Sequence, residues 1–125
     1  MNFPTRNTGT ARQVLVVDDN VDSAQALAML VRVMGHQVSV AHSGYKALDL
    51  ARSARPDIVF LDLVLPDIDG CQVAMRLRRD HAQAMKIIAL TGFGNVEDRA
   101  RVREAGFDQH IVKPIDPVFL RSLLG

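Results

Sequence analysis

Three aspartates stand at the ends of two apolar runs: Val14-Leu15-Val16-Val17 leads into Asp18-Asp19, and Ile58-Val59-Phe60-Leu61 leads into Asp62. Carboxylates gathered at strand ends are costly to keep without a cation. Two unit charges about 4 Å apart repel by roughly 4 kcal/mol at an effective dielectric near 20. Two later runs end in the groups that could answer them: Ile87-Ile88-Ala89-Leu90 reaches Thr91, and Asp108 to Val112 reaches Lys113-Pro114. Clustered oxygen donors suit a hard cation that keeps some of its water, so Mg2+ shared with a phosphoryl oxygen fits better than a dedicated Ca2+ cage. Zinc is disfavoured, because no His or Cys pattern has ligand spacing. Lysine supplies a point charge and threonine a hydroxyl donor, which together suit a site that positions and neutralises a phosphoryl group.

Positioning these groups requires strands that all end on one edge. Short β-branched runs near 12–18, 36–41, 57–62, 85–91 and 108–112 alternate with helical patterns near 20–34, 43–53, 69–79, 95–105 and 116–124. This alternation predicts repeated βαβ units and a doubly wound α/β fold, a five-stranded parallel sheet with helices on both faces. Ligands of such sheets sit outside the carboxyl ends of the strands. Asp69-Gly70 is expected to cap the third helix, Asp116-Pro117 the fifth, and Gly35 and Gly106 to end the first and fourth. Residues 1–11 are read as a disordered leader and 12–125 as one domain.

A chain of 125 residues with formal net charge +1 and 23% charged residues has no global bias toward nucleic acid or an anionic membrane. One cysteine, Cys71, excludes an intramolecular disulfide and favours a reducing compartment, the cytoplasm by default. No apolar stretch has membrane-spanning length.

The ordered set Asp18-Asp19, Asp62, Thr91 and Lys113-Pro114 resembles the receiver (response-regulator) domain of two-component signalling, over essentially all of 12–124. The resemblance implies a flavodoxin-like strand order 2-1-3-4-5 and a phosphoacceptor, Asp62, that takes a phosphoryl group from phosphohistidine and promotes its own modification. It implies Mg2+ bound by Asp19, Asp62 and the Val64 carbonyl, with Asp18 acting through water, and a phosphoryl group held by Thr91 and Lys113. Pro66, Asp69 and Gly70 match the loop after the acceptor strand, and Lys113-Pro114 matches a bond that is usually cis. The implied partner is a histidine kinase or histidine phosphotransfer protein, with room for a weak homodimer. Three positions depart from the usual pattern. Val64 and Phe93 are apolar where polar side chains often assist hydrolysis, and His110 stands where an aromatic switch residue is usual.

Competing readings are weaker. An aspartyl-phosphate phosphohydrolase would carry a second acid where Val64 stands, flavin binding would set Asp18-Asp19 against a cofactor phosphate, and a degenerate interaction module would not need the full acid set. His110 reads equally well as a surface histidine or a switch, and Cys71 reads as packing. The basic groups Arg76-Leu77-Arg78-Arg79 and Arg99 to Arg103 are expected on solvated, salt-bridged faces, with Glu97 facing Arg101, and no recognition motif supports nucleic-acid binding. In the first helix Ala24, Leu27, Ala28, Val31 and Met34 should face the sheet. Ala26, Met29 and Val33 leave an apolar outer face suited to a partner.

Overall fold

A computed structural model describes residues 11–81, 84–92 and 99–124. The leader expected at 1–11, apart from Ala11, falls outside them, as do Phe93 and Glu97.

The strands are β1 (Gln13–Val17), β2 (Gln37–Ala41), β3 (Ile58–Asp62), β4 (Lys86–Thr91) and β5 (Gln109–Val112). The helices are α1 (Val21–Val33), α2 (Gly44–Ala54), α3 (Gly70–Asp80), α4 (Arg99–Glu104) and α5 (Pro117–Leu124). All pairings are parallel, in the order β2-β1-β3-β4-β5. Strand periodicity divides the core: Leu15, Val17, Val59, Leu61, Ile87 and Ala89 pack on the face covered by α2, α3 and α4. Val14, Val16, Phe60, Ile88 and Leu90 pack on the other, under α1 and α5. The central β3 is buried at every position, which is why its sequence shows no polar alternation.

The expected caps form. Asp69 Oδ1 accepts the Cys71 N–H at 2.8 Å, and Asp116 Oδ1 accepts the Val118 N–H at 3.3 Å. Gly35 and Gly106 take φ of +95° and +105°, the left-handed region that glycine enters without a Cβ penalty. The Lys113-Pro114 bond is cis.

The basic run on α3 is not one solvated face. Leu77 is fully buried, Arg78 donates to the carbonyls of Met85 and Gly106, and Arg76 lies 5.9 Å from the centre of the Tyr45 ring. The crevice between α3 and the starts of β4 and β5 holds carbonyls that need donors, and the Arg78 fork reaches them along its apolar stem. Arg79 keeps the expected surface role, paired with Asp80. In α1, Ala24, Leu27, Ala28 and Val31 are buried and Met34 partly so, while Met29 and Val33 are 63% and 80% exposed and Ala26 is exposed.

Candidate functional site at the carboxyl edge of the sheet

β1 and β3 are hydrogen-bonded neighbours in register, Val17 opposite Leu61, so their next residues, Asp18 and Asp62, emerge side by side. Asp18, Asp19 and Asp62 each bring a carboxylate oxygen within 4.8 Å of the others. Asp18 and Asp62 are buried and Asp19 is exposed. From the end of β5, Lys113 Nζ lies 3.1 Å from Asp18 Oδ2 and 3.0 Å from Asp62 Oδ2. The remaining oxygens take backbone donors: Asp62 Oδ1 accepts the Val64 N–H at 3.0 Å, and Asp18 Oδ1 accepts the Asn20 N–H at 3.0 Å.

Burial pushes the Asp62 carboxyl above its ordinary pKa and the Asp18 charge adds to this, against the opposing pull of the Val64 N–H and Lys113. Burial alone would lower Lys113. Its bonds to Asp62 and Asp18 outweigh that and hold its pKa above the ordinary value. Three carboxylates against one ammonium leave an excess of two negative charges, the charge of one divalent cation. Hard oxygen donors beside solvent fit Mg2+, and the exposed Asp19 carboxylate accepts no hydrogen bond from the described residues.

Thr91 is buried at the end of β4, where its hydroxyl donates to the Ile111 carbonyl at 3.4 Å and not to Asp62. Val64 lies at the site through its backbone and is 78% exposed. The valine therefore does not wall Asp62 off from water. His110 leaves Nε2 buried without a hydrogen-bond partner among the described residues, and Cys71 is buried. Sequence reasoning missed Asn20, which supports Asp18 through its N–H and caps α1 by accepting the Ser23 N–H at 2.9 Å. Its signal was an N-cap residue directly after the acidic pair.

Residues 14–124 match the response regulator receiver domain family. The chain belongs to that family. It is 37% identical over 113 residues to the probable transcriptional regulator ycf27 of Guillardia theta, covering 90% of this chain and 44% of that protein. It thus spans less than half the length of that relative. It is also 32% identical over 114 residues to the polar-differentiation response regulator DivK of Brucella anthropi, covering 90% of this chain and 93% of that one. A solved CheY-like receiver domain from Methylobacillus flagellatus superposes with a TM-score of 0.81 at 32% identity, over 91% of this chain and 96% of that one. The receiver fold and the phosphoacceptor role in two-component signalling are thereby those expected from the residues at the sheet edge. Among the described residues no helix is long and apolar enough to cross a membrane.

Proposed function

We propose that this receiver domain, residues 12–125, accepts a phosphoryl group on Asp62 with Mg2+ held by Asp19, Asp62 and the Val64 carbonyl, Asp18 contributing through water. The observation that carries this reading is the Lys113 ammonium shared between Asp18 and Asp62, 3.1 and 3.0 Å away, within a carboxylate cluster that still lacks two positive charges. A carboxylate oxygen of Asp62 attacks phosphorus, an O–P bond forms, and the P–N bond of the phosphohistidine breaks with its electron pair leaving on the imidazole. When bound, Mg2+ supplies positive charge to the phosphoryl oxygens. Lys113 exchanges its bond to Asp62 for one to a phosphoryl oxygen, and the Thr91 hydroxyl exchanges the Ile111 carbonyl for another. The second exchange draws the end of β4 toward the site and couples modification to the surface near β5. The same site assists loss of the phosphoryl group to water.

The donor, a histidine kinase or histidine phosphotransfer protein, docks on α1 over Ala26, Met29 and Val33. A largely apolar cavity of about 440 Å³ supports this, since it runs from Ala26, Leu27 and Leu30 to Lys113 and Ile115 and joins that helix to the site. The one cysteine is compatible with work in the cytoplasm. Incubation with acetyl phosphate and Mg2+, read by intact mass, tests the assignment. One added phosphoryl group in the parent chain and none in Asp62→Asn is expected. Equal labelling of both would refute it.

A further inference from the structure

We infer that the turn from β2 into α2, residues His42 to Tyr45, is a brace that sets the two metal-binding loops against each other, with His42 and Asp67 as its positioning residues. On one side His42 Nδ1 lies 3.0 Å from the Asp18 carbonyl oxygen. A carbonyl only accepts, so this nitrogen carries the hydrogen. The Asp18 N–H in turn donates to the Ala41 carbonyl at 3.1 Å, so the peptide groups flanking the first acid are held from both directions by residues 41 and 42. On the other side Asp67, in the loop that leaves Asp62 and Val64, accepts the Gly44 N–H on Oδ1 and the Tyr45 N–H on Oδ2, each at 2.8 Å. These are free donors of the first turn of α2, and Ser43 Oγ accepts a third from Lys46 at 3.3 Å. A Cβ on Gly44 would come within 2.5 Å of Ile68 Cγ1, so this glycine also lets the Asp67-Ile68 segment seat against the helix.

Four consecutive residues therefore hold the loop carrying Asp18 and Asp19 with one hand and the loop carrying Val64 with the other. The inference rests on the Mg2+ reading proposed above. Mg2+ demands near-octahedral coordination at short distance, whereas Ca2+ tolerates longer and more variable bonds, so slack between the loops should cost Mg2+ affinity more than Ca2+ affinity. Groups that orient metal ligands are typically worth 10- to 100-fold in affinity.

Calorimetric titration of the full chain with MgCl2 and with CaCl2 tests this, with thermal unfolding in EDTA to check each variant's fold. His42→Phe should raise the Mg2+ Kd about tenfold and the Ca2+ Kd by less than about threefold. His42→Asn, whose amide nitrogen can occupy the place of Nδ1, should restore Mg2+ binding to within about twofold of the parent. Asp67→Ala should reproduce His42→Phe, and the double variant should fall short of the product of the two single losses. Parent-like Mg2+ affinity in His42→Phe, or equal loss in His42→Phe and His42→Asn, overturns the brace while leaving the site intact. Failure of the parent chain to bind Mg2+, or parent-like binding by Asp19→Asn, removes the site reading and the brace with it.

Discussion

Arg78 places its guanidinium 2.7 Å from Asp108, and the same carboxylate oxygen accepts the Ile87 N–H at 2.8 Å. Nε and Nη2 of that arginine also donate to the Gly106 carbonyl at 3.0 and 2.7 Å, and Nη1 donates to the Met85 carbonyl. One side chain thus ties the end of α3 to the starts of β4 and β5. Those strand starts lie at the opposite end of the sheet from the carboxylates, so this knot should matter for stability and not for phosphoryl chemistry.

Arg78→Met keeps much of the apolar stem and removes every donor. The pair is one-third to one-half exposed, with side-chain exposures of 33% and 46%, so solvent screens its charge and the cost falls mainly on the carbonyls left unpaired. The variant should lose about 2 kcal/mol in urea unfolding and retain labelling by acetyl phosphate.

Gly70 opens α3 directly behind the acceptor strand. A Cβ there would stand 2.5 Å from the Asp62 carbonyl oxygen and 2.7 Å from Leu63 Cα, both backbone atoms with little room to retreat. Gly70→Ala should cost about 1 to 3 kcal/mol in chemical denaturation. It should also slow labelling at Asp62, because the displaced backbone carries the nucleophile.

Asp62 is predicted to be a net burden on the metal-free fold at neutral pH. Its carboxyl pKa is raised above the unfolded value, chiefly by burial, so folding costs the ionised form more than the neutral one. Stability from this group is complete below the unfolded pKa and is lost as pH rises through the folded pKa. Asp62→Asn should therefore raise the thermal midpoint in EDTA at pH 7, with a smaller difference below pH 4. Mg2+ binding needs the ionised form, so its affinity should fall as pH drops through the same raised pKa. A lower midpoint for Asp62→Asn at pH 7 would contradict the sign.

The phosphorylated form should be long-lived. Loss of an acyl phosphate needs water aligned with phosphorus, and the side chain of neither Val64 nor Phe93 offers a hydrogen bond to align it. Val64 is 78% exposed, so the expected effect comes from the polar group it lacks and not from shielding. Val64→Asn with Phe93→Glu should speed decay after donor removal about tenfold, a change of roughly 1.4 kcal/mol in barrier. An unchanged rate would mean that these positions do not set the lifetime.

Met29 is 63% exposed on α1, next in the chain to Leu30, which lines the apolar cavity. Met29→Asp should slow transfer from a cognate phosphohistidine protein by tenfold or more, about 1.4 kcal/mol, while acetyl phosphate labels it at the parent rate. Equal losses with both donors would place the damage in the fold and not in docking.

The gathering of polar groups at the carboxyl edge was legible in the sequence because it depends on short-range patterns. A buried parallel strand is an unbroken apolar run, and the first polar residue after it must emerge at the sheet edge. Asp18, Asp62 and Thr91 were fixed in this way, Lys113 follows a strand that opens on Gln109-His110 and was marked by its place before Pro114, and glycine and aspartate at helix ends fixed the boundaries between them. The tertiary structure alone decided which polar groups meet. Arg78 and Asp108, His42 and Asp18, and Asp67 and Gly44 are separated by 20 residues or more in the chain. Each pairing is set by where the packed layers leave a backbone donor or acceptor unpaired. Hydrophobic period encodes the layers, but it says nothing about the hydrogen-bonding groups stranded at their seams. A run such as Arg76 to Arg79 therefore looks uniform in sequence, and it divides into a stacked arginine, a buried leucine, a knot and a surface pair only once the neighbours are in place.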